Sequence, residues 1–264
     1  MIPPLNDFLQ AAGRAPTTAL AAAALAALAI FLVWSRHVVP AEVTARRALD
    51  PSDTMSVSRD RWIAFRPRGE QPATGIVFYP GGKADPLAYA PVLSRLADSG
   101  YLVVLVPMPF NLAMLAPSRA DDVRARYPDV KHWFIAGHSF GGTIAARYAQ
   151  GHAESLAGLI LWASFPESSV DLRLARLAVL SIYGSGDELT TPAQALAARP
   201  RLPAAAKFVA VAGAGHWSFG NFSVPGQDAR ERRREQDAVL DATREFIRLA
   251  AVDSMPGTTD VTTD

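Results

Sequence analysis

The chain of 264 residues is long enough for one domain with a well-buried core, or for two small ones. Its formal net charge of +1 argues against a nucleic-acid partner, because a phosphate-binding surface needs a clear excess of basic residues. The absence of cysteine excludes disulfides, thiolate metal sites and a cysteine nucleophile, and it leaves the redox compartment open.

An apolar segment near the N-terminus has the length of a membrane span. The segment Thr17–Trp34 carries no charge and would be about 27 Å long as a helix, close to the ~30 Å thickness of the hydrocarbon core. Arg14 precedes it and Arg36 follows it, while Trp34 stands where interfacial aromatic residues are common. We therefore expect a single-pass membrane anchor over residues 17–35.

Two other interpretations of this segment fit the sequence less well. A cleaved signal peptide is disfavoured because no small-x-small cleavage site occurs in the following "SRHVVP". A soluble Ala-rich helix would have to be buried on every side. The basic residues on the two flanks are nearly balanced or slightly favour a cytoplasmic C-terminal part, whereas a short N-terminal tail (residues 1–16) more often stays inside and sends the domain out. We expect an extracytoplasmic domain, joined to the anchor by a polar linker over residues 36–51.

Alternating apolar and helical segments over residues 52–251 predict an α/β domain. Two short strand-like runs come first, "TMSVSRD" and "RWIAFRPR", and the second is interpreted as an edge strand with one face in water. Six short, near-continuously apolar runs follow, as is typical of strands buried on both faces. They are Thr74–Pro80, Tyr101–Pro107, His132–Gly137, Leu156–Ser164, Leu177–Gly184 and Lys207–Gly213. This order predicts a mostly parallel sheet with helices on both faces, followed by a disordered tail over residues 252–264.

The helices between these strands carry recognisable end signals. Asp85 and Pro86 have the form of an N-cap and a first-turn proline, and Gly100 ends the same segment. Thr191 and Pro192 repeat the start signal. In parallel sheets, active sites lie at the carboxyl ends of the strands, so residues that do chemistry must directly follow the strand-like runs.

The stretch "FIAGHSFGGTIAARYA" places Ser139 directly after a strand and before a helix. A Gly-x-Ser-x-Gly pattern is common by chance, so it carries weight only with partners. The strand–turn–helix context is the one that a nucleophile elbow requires, and Gly137, Gly141 and Gly142 supply the small flanking residues. We therefore predict that Ser139 is a nucleophile.

A serine nucleophile needs a base and an acid that orients the base. His216 follows the last strand in a glycine-rich loop, and Asp187 follows the strand before it. Ser139, Asp187 and His216 thus occur in the serine–acid–histidine order of this architecture. Glu188 is the alternative acid. His138, although adjacent to Ser139, is predicted to be a packing residue.

An oxyanion hole needs two backbone N–H donors. One is expected from Phe140, the residue after the nucleophile. The other is expected from the glycine-rich loop "YPGGKADP", where Gly82 and Lys83 are equal candidates.

These residues together resemble the α/β-hydrolase superfamily. The segments "YPGGKADPLAYAPVLSRLADSGYLVVLVPMPFNLAML" and "HWFIAGHSFGGTIAARYA" are similar to small bacterial hydrolases related to dienelactone hydrolases and carboxylesterases. Dienelactone hydrolases use a cysteine nucleophile, which this chain lacks, so that activity is not implied. Only "FPESSVDLRLAR" separates the fourth and fifth apolar runs, which is too short for the cap domain that superfamily members insert there.

The resemblance implies an uncapped site with an apolar rim. The residues expected to line this rim are Met108–Leu115 (including Phe110), Trp162, Phe165, Trp217 and Phe222; Phe110, Trp162 and Trp217 are the substrate-binding candidates. An apolar rim favours acyl or alkyl groups over charged substrates.

The expected activity is hydrolysis of a carboxylic ester or thioester of a small molecule through an acyl-enzyme, with no cofactor and no metal. Lipase and perhydrolase activities would use the same residues. The alternative is a membrane-tethered, non-catalytic binding module on the same fold. The sequence leaves the oligomeric state open.

Overall fold

The computed structural model describes residues 5–253, with side chains described from Thr17 to Ala251. The predictions for residues 1–4 and 254–264 lie outside this range. The chain divides into two compact units, with the boundary between Val38 and Val39. The first unit contains helix α1, Leu5–Arg36, so most of the predicted N-terminal tail is helical. Within α1, Thr17–Arg36 is long and apolar enough to cross a membrane, a property that N-terminal signal sequences share.

The second unit, called the C-terminal unit below, is built on an eight-stranded sheet. Its spatial order is β1-β2-β4-β3-β5-β6-β7-β8; β2 is antiparallel to β1 and β4, and the strands from β4 to β8 are parallel. The strands are β1 Met55–Arg59, β2 Ile63–Pro67, β3 Thr74–Tyr79, β4 Leu102–Leu105, β5 His132–His138, β6 Gly158–Trp162, β7 Ala178–Gly184 and β8 Lys207–Val211. Each predicted strand is present, and the prediction of a mostly parallel sheet is confirmed.

The environment of β2 was predicted wrongly. Ile63, Ala64 and Phe65 are all buried, so β2 has no solvent-exposed face along these residues. β2 also pairs with a strand on each side and is therefore not an edge strand. The polar edge strand is instead β1, whose burial decreases from Met55 to Arg59. The alternation of residues within "RWIAFRPR" does not reveal which strands flank it, because pairing is decided by distant segments.

Five α-helices of the described part of this unit cover the two faces of the sheet. They are α2 Ala90–Ala97, α3 Arg119–Arg126, α4 Phe140–His152, α5 Pro192–Ala197 and α6 Ala229–Asp253. The predicted caps are present: the Asp85 carboxylate accepts the Leu87 amide ahead of α2, and Thr191 forms a capping box with Gln194 at the start of α5. An apolar stripe of α6 is buried in the core; it consists of Val239, Leu240, Phe246, Ile247 and Ala250.

The predicted linker is largely part of the C-terminal unit. This unit begins at Val39, whose amide donates to the Lys83 carbonyl at 2.8 Å. A 3-10 helix over Val43–Leu49 then buries Ala45 and Leu49. The polar residues of the predicted linker lie on its exposed side. Ala45 and Leu49 are buried and attach it to the core.

The connection between β6 and β7 contains no helix or strand, and two of its apolar residues, Val170 and Leu172, are buried against the sheet. This short connection leaves no room for a cap domain, as the sequence predicted. The carboxyl edge of the sheet, where Ser139, Asp187 and His216 follow β5, β7 and β8, is therefore not covered by an inserted domain.

Candidate active site

Ser139 occupies a strained turn between β5 and α4. Its φ of 51° lies in the left-handed region, which residues with side chains rarely adopt. The turn also requires close backbone approach, because a Cβ on Gly137 would lie 2.6 Å from the Gly141 carbonyl carbon. A Cβ on Gly141 would lie 2.2 Å from the Pro80 carbonyl oxygen. The predicted small flanks are thus needed for backbone contact with β3 and within the turn.

The structure brings Ser139, His216 and Asp187 into one hydrogen-bonded line. His216 Nε2 lies 3.0 Å from Ser139 Oγ, and His216 Nδ1 lies 2.9 Å from Asp187 Oδ2. Because a carboxylate only accepts, Nδ1 carries the proton and Nε2 presents its lone pair to the serine hydroxyl. His216 is 7% exposed and Asp187 is 3% exposed, so water competes little for these hydrogen bonds.

The second oxygen of Asp187 is fixed by its own loop. Asp187 Oδ1 accepts the amides of Leu189 at 2.9 Å and Thr190 at 2.7 Å. Glu188, the alternative acid, is exposed, and the carboxylate at His216 Nδ1 is that of Asp187. The geometry therefore favours Asp187 as the partner of the histidine.

The glycine-rich loop after β3 lies against the start of α4. A Cβ on Gly82 would contact the Phe140 side chain at 3.4 Å. The Lys83 amide donates to the Asn111 carbonyl at 3.2 Å, and the Gly81 amide donates to the Tyr89 hydroxyl at 3.0 Å. Within residues 5–253, the amides of Gly82 and Phe140 donate to no protein acceptor. Of the two predicted candidates, Gly82 is the one with an available N–H.

His138 forms a buried hydrogen-bond chain that the sequence did not indicate. Its Nε2 lies 3.0 Å from the backbone oxygen of His216, so Nε2 carries the proton and donates. Its Nδ1 then accepts from the Tyr89 hydroxyl at 2.8 Å, and that hydroxyl accepts the Gly81 amide. His138 is fully buried, as a packing residue should be, but it also connects the glycine-rich loop to the backbone of His216. Its position beside the elbow was the only sequence signal for this role.

The rim differs from the prediction at two aromatic positions. Trp162 is 1% exposed and donates from its indole nitrogen to Thr243 in the core, so its assignment as a substrate-binding residue is wrong. Phe222, also 1% exposed, is likewise a core residue. Phe110 is 46% exposed, and Trp217 is half-buried with its ring edge-on to His216. Aromatic side chains are common both in a core and at the rim of a site. Which of these two places Trp162 and Phe222 occupy is decided by the tertiary fold, not by the local sequence.

Among the side chains described from Thr17 to Ala251, no group of three or more His, Cys, Asp or Glu residues is arranged to hold a metal ion.

Tyr89→Phe is expected to lower the free energy of unfolding by about 1–3 kcal/mol, because it leaves the buried Gly81 amide and His138 Nδ1 without a partner. Tyr101→Phe is the matched control, since the Tyr101 hydroxyl is half-buried and has no hydrogen-bond partner among the described residues. It should cost less than about 0.5 kcal/mol. Urea unfolding measures both; equal losses would contradict the hydrogen-bond chain.

His138 also predicts a pH dependence of stability. Burial, reinforced by the neighbouring His216, lowers the pKa of His138 well below its ordinary value of 6.5. The unfolded chain then binds a proton below about pH 6.5 that the folded state excludes, so stability falls as the pH falls. The slope contributed is up to about 1.4 kcal/mol per pH unit between pH 6.5 and 5. His138→Gln should remove it in urea titrations at several pH values; parallel slopes would refute the assignment.

Comparison with known proteins agrees with this geometry at the level of fold. A dienelactone hydrolase from Anabaena variabilis is 17% identical, with a TM-score of 0.59 over 74% of this chain and 98% of its own. A predicted CIB-like hydrolase from Thermoplasma acidophilum is 15% identical, with a TM-score of 0.55 over 72% of this chain and 99% of its own. An alpha/beta hydrolase enzyme from a sediment metagenome of the Mar Chica lagoon in Morocco is 15% identical, with a TM-score of 0.56 over 75% and 100%.

No curated protein matches the chain. Residues 75–238, more than half of the sequence, match the family described as the alpha/beta hydrolase family. The eight-stranded sheet, the glycine-flanked elbow and this match together establish that the chain belongs to the alpha/beta hydrolase family.

Proposed function

We propose that the protein is a serine hydrolase that cleaves carboxylic esters or thioesters through an acyl-enzyme. The observation that carries the proposal is the line of hydrogen bonds from Asp187 through His216 to Ser139, with donor–acceptor distances of 2.9 and 3.0 Å. Membership of a hydrolase family supports hydrolysis in general; this line supports the serine mechanism in particular.

In the proposed first step, Ser139 Oγ attacks the ester carbonyl while His216 Nε2 takes the hydroxyl proton. Asp187 holds the imidazole and stabilises its positive charge as the tetrahedral intermediate forms. When the intermediate collapses, the carbonyl group re-forms, the bond between the carbonyl carbon and the alkoxy oxygen breaks, and the imidazolium gives its proton to the leaving alcohol. Water activated by the same histidine then hydrolyses the acyl-enzyme and regenerates the Ser139 hydroxyl.

The oxyanion is proposed to bind the amides of Gly82 and Phe140. The two amides lie on adjacent segments and are free of protein acceptors within the described residues. Phe140 is also the first residue of α4, so its amide lies at the positive end of the helix dipole. Phe110 and Trp217 remain the proposed substrate contacts at the rim.

Ser139→Ala should lower kcat for p-nitrophenyl esters by at least about 1,000-fold, because the attacking oxygen is lost. Ser58→Ala, on the exposed part of β1, is the matched control and should leave kcat unchanged. Asp187→Asn should lower kcat by about 10³–10⁴-fold, whereas Glu188→Gln should have little effect. Initial rates across esters of two to sixteen carbons test these expectations. A wild-type protein inactive on every ester would instead favour the non-catalytic binding module.

We further propose that Thr17–Arg36 anchors the chain in a membrane, with the C-terminal unit on the extracytoplasmic side. The length and hydropathy of this segment support an anchor. Its large apolar side chains are also exposed; for example, Leu25 is 67% and Ile30 is 70% exposed.

Leu25→Arg combined with Ile30→Arg should release the protein from membranes on alkaline extraction. Each arginine near the centre of the span raises the free energy of membrane insertion by about 3 kcal/mol. Leu174→Arg, at a position that is 97% exposed in the C-terminal unit, is the control and should stay in the membrane fraction. The intact mass of the membrane-bound protein should include residues 17–36. A mass that lacks them would identify a cleaved signal sequence, and protease digestion of intact cells reports the orientation.

A further inference from the structure

The C-terminal unit begins beside the proposed oxyanion loop. Val39, its first residue, donates its amide to the Lys83 carbonyl at 2.8 Å and accepts the Asp85 amide at 3.0 Å. Two residues later, Ala41 pairs with Phe222 in the segment that follows His216. The first residues of the unit are therefore held between the loop that carries Gly82 and the loop that carries the proposed base.

Covalent geometry limits how far this point can lie from the end of the anchor. The candidate span ends at Arg36, and only three peptide bonds separate it from Val39. A fully extended chain of that length covers about 10–11 Å. This limit holds for any direction of the helix. If Thr17–Arg36 spans a membrane, Val39 and the Lys83 loop bonded to it lie within roughly this distance of Arg36.

Exposed apolar side chains lie next to the same loop. Phe110, Met114 and Leu115, called the apolar lip below, are 46%, 52% and 49% exposed. The lip is tied to the loop because the Lys83 amide donates to the carbonyl of Asn111 at 3.2 Å. Its second half, the 3-10 turn at residues 113–115, also contacts α4, the helix that follows Ser139. The lip is thus linked both to the loop beside which the unit begins and to the helix that follows Ser139.

We propose that the enzyme works at the membrane surface, on esters of long acyl chains that are dissolved in the bilayer. The inference rests on the proposed hydrolase function and on the proposed anchor. The apolar lip contacts the interface and leads the acyl chain from the lipid to Ser139. The acyl–oxygen bond breaks there, the alcohol leaves with the proton from His216, and water completes the cycle with release of a fatty acid.

The bilayer is favoured over a protein as the occupant of the lip because of the tether. Half-exposed apolar side chains grouped at one site mark a contact surface. The short connection after Arg36 keeps Val39, which is hydrogen-bonded to the Lys83 loop, within about 10–11 Å of the end of the span.

The test uses the full chain in phosphatidylcholine vesicles and two esters, p-nitrophenyl palmitate in the bilayer and p-nitrophenyl acetate in water. Met114→Ser combined with Leu115→Ser should lower the ratio of kcat/KM for palmitate to kcat/KM for acetate by about tenfold, since two apolar contacts with lipid are lost. Leu174→Ser is the control: it is 97% exposed and lies near residues 150–155 at the C-terminal end of α4. It should leave the ratio unchanged.

A second variant tests the tether and leaves every residue of the lip intact. A flexible Gly-Ser insertion of about 20 residues between Val38 and Val39 would add a mean reach of roughly 25 Å. It should lower the palmitate rate several-fold and leave the acetate rate within about twofold. If circular dichroism shows that the lip variant is unfolded, the insertion variant alone tests the proposal. An unchanged palmitate rate in the insertion variant then overturns the proposal.

The outcomes separate the two proposals. An unchanged palmitate-to-acetate ratio in a folded lip variant overturns the membrane-surface proposal and leaves the serine hydrolase standing. This result would also be expected if the lip binds a second copy of the chain or a soluble protein. Unmodified protein that hydrolyses neither ester overturns both.

Discussion

The strained backbone at Ser139 is the constraint on which the rest of the site depends. The left-handed φ of 51° costs on the order of 1–3 kcal/mol and persists only because neighbouring segments fix it. The Ser139 amide donates to the Trp162 carbonyl at 3.0 Å, and the Ser164 hydroxyl donates to the Ser139 carbonyl at 2.6 Å. Trp162 is the last residue of β6, and Ser164 follows it by two residues. The parallel sheet therefore aims the serine, and the hydroxyl points away from the core toward His216.

Two buried histidines, His138 and His216, lie next to each other beside this serine and differ in their hydrogen-bond partners. The rings of His138 and His216 are 4.7 Å apart between centroids. His138 is fully enclosed, and its low pKa keeps it neutral, so it serves as a fixed donor to the His216 backbone. His216 meets a carboxylate on one nitrogen and a hydroxyl on the other. A neutral neighbour suits the proposed mechanism, because a second positive charge would oppose formation of a His216 cation.

Much of the fold followed from local pattern, and the remainder depended on long-range packing. The buried strands were predictable because short, continuously apolar runs bounded by turn residues are typical of buried strands. The N-cap of α5 at Thr191 was predictable because a cap depends only on neighbouring residues. The candidate site was predictable because chain order alone carries Ser139, Asp187 and His216 to one edge of a parallel sheet. The burial of Trp162 was not predictable, since its partner Thr243 is 81 residues away. The tie between His138 and Tyr89, 49 residues apart, was hidden for the same reason.

The central claim is that Ser139 is a nucleophile activated by His216. Reaction with a fluorophosphonate tests it most directly, because the probe forms a covalent bond only with an activated serine. Peptide mapping of the labelled full chain should find one probe on Ser139, and His216→Ala should slow the labelling by at least about 1,000-fold. A folded wild-type protein that remains unlabelled, or that carries the probe on another residue, would contradict the account.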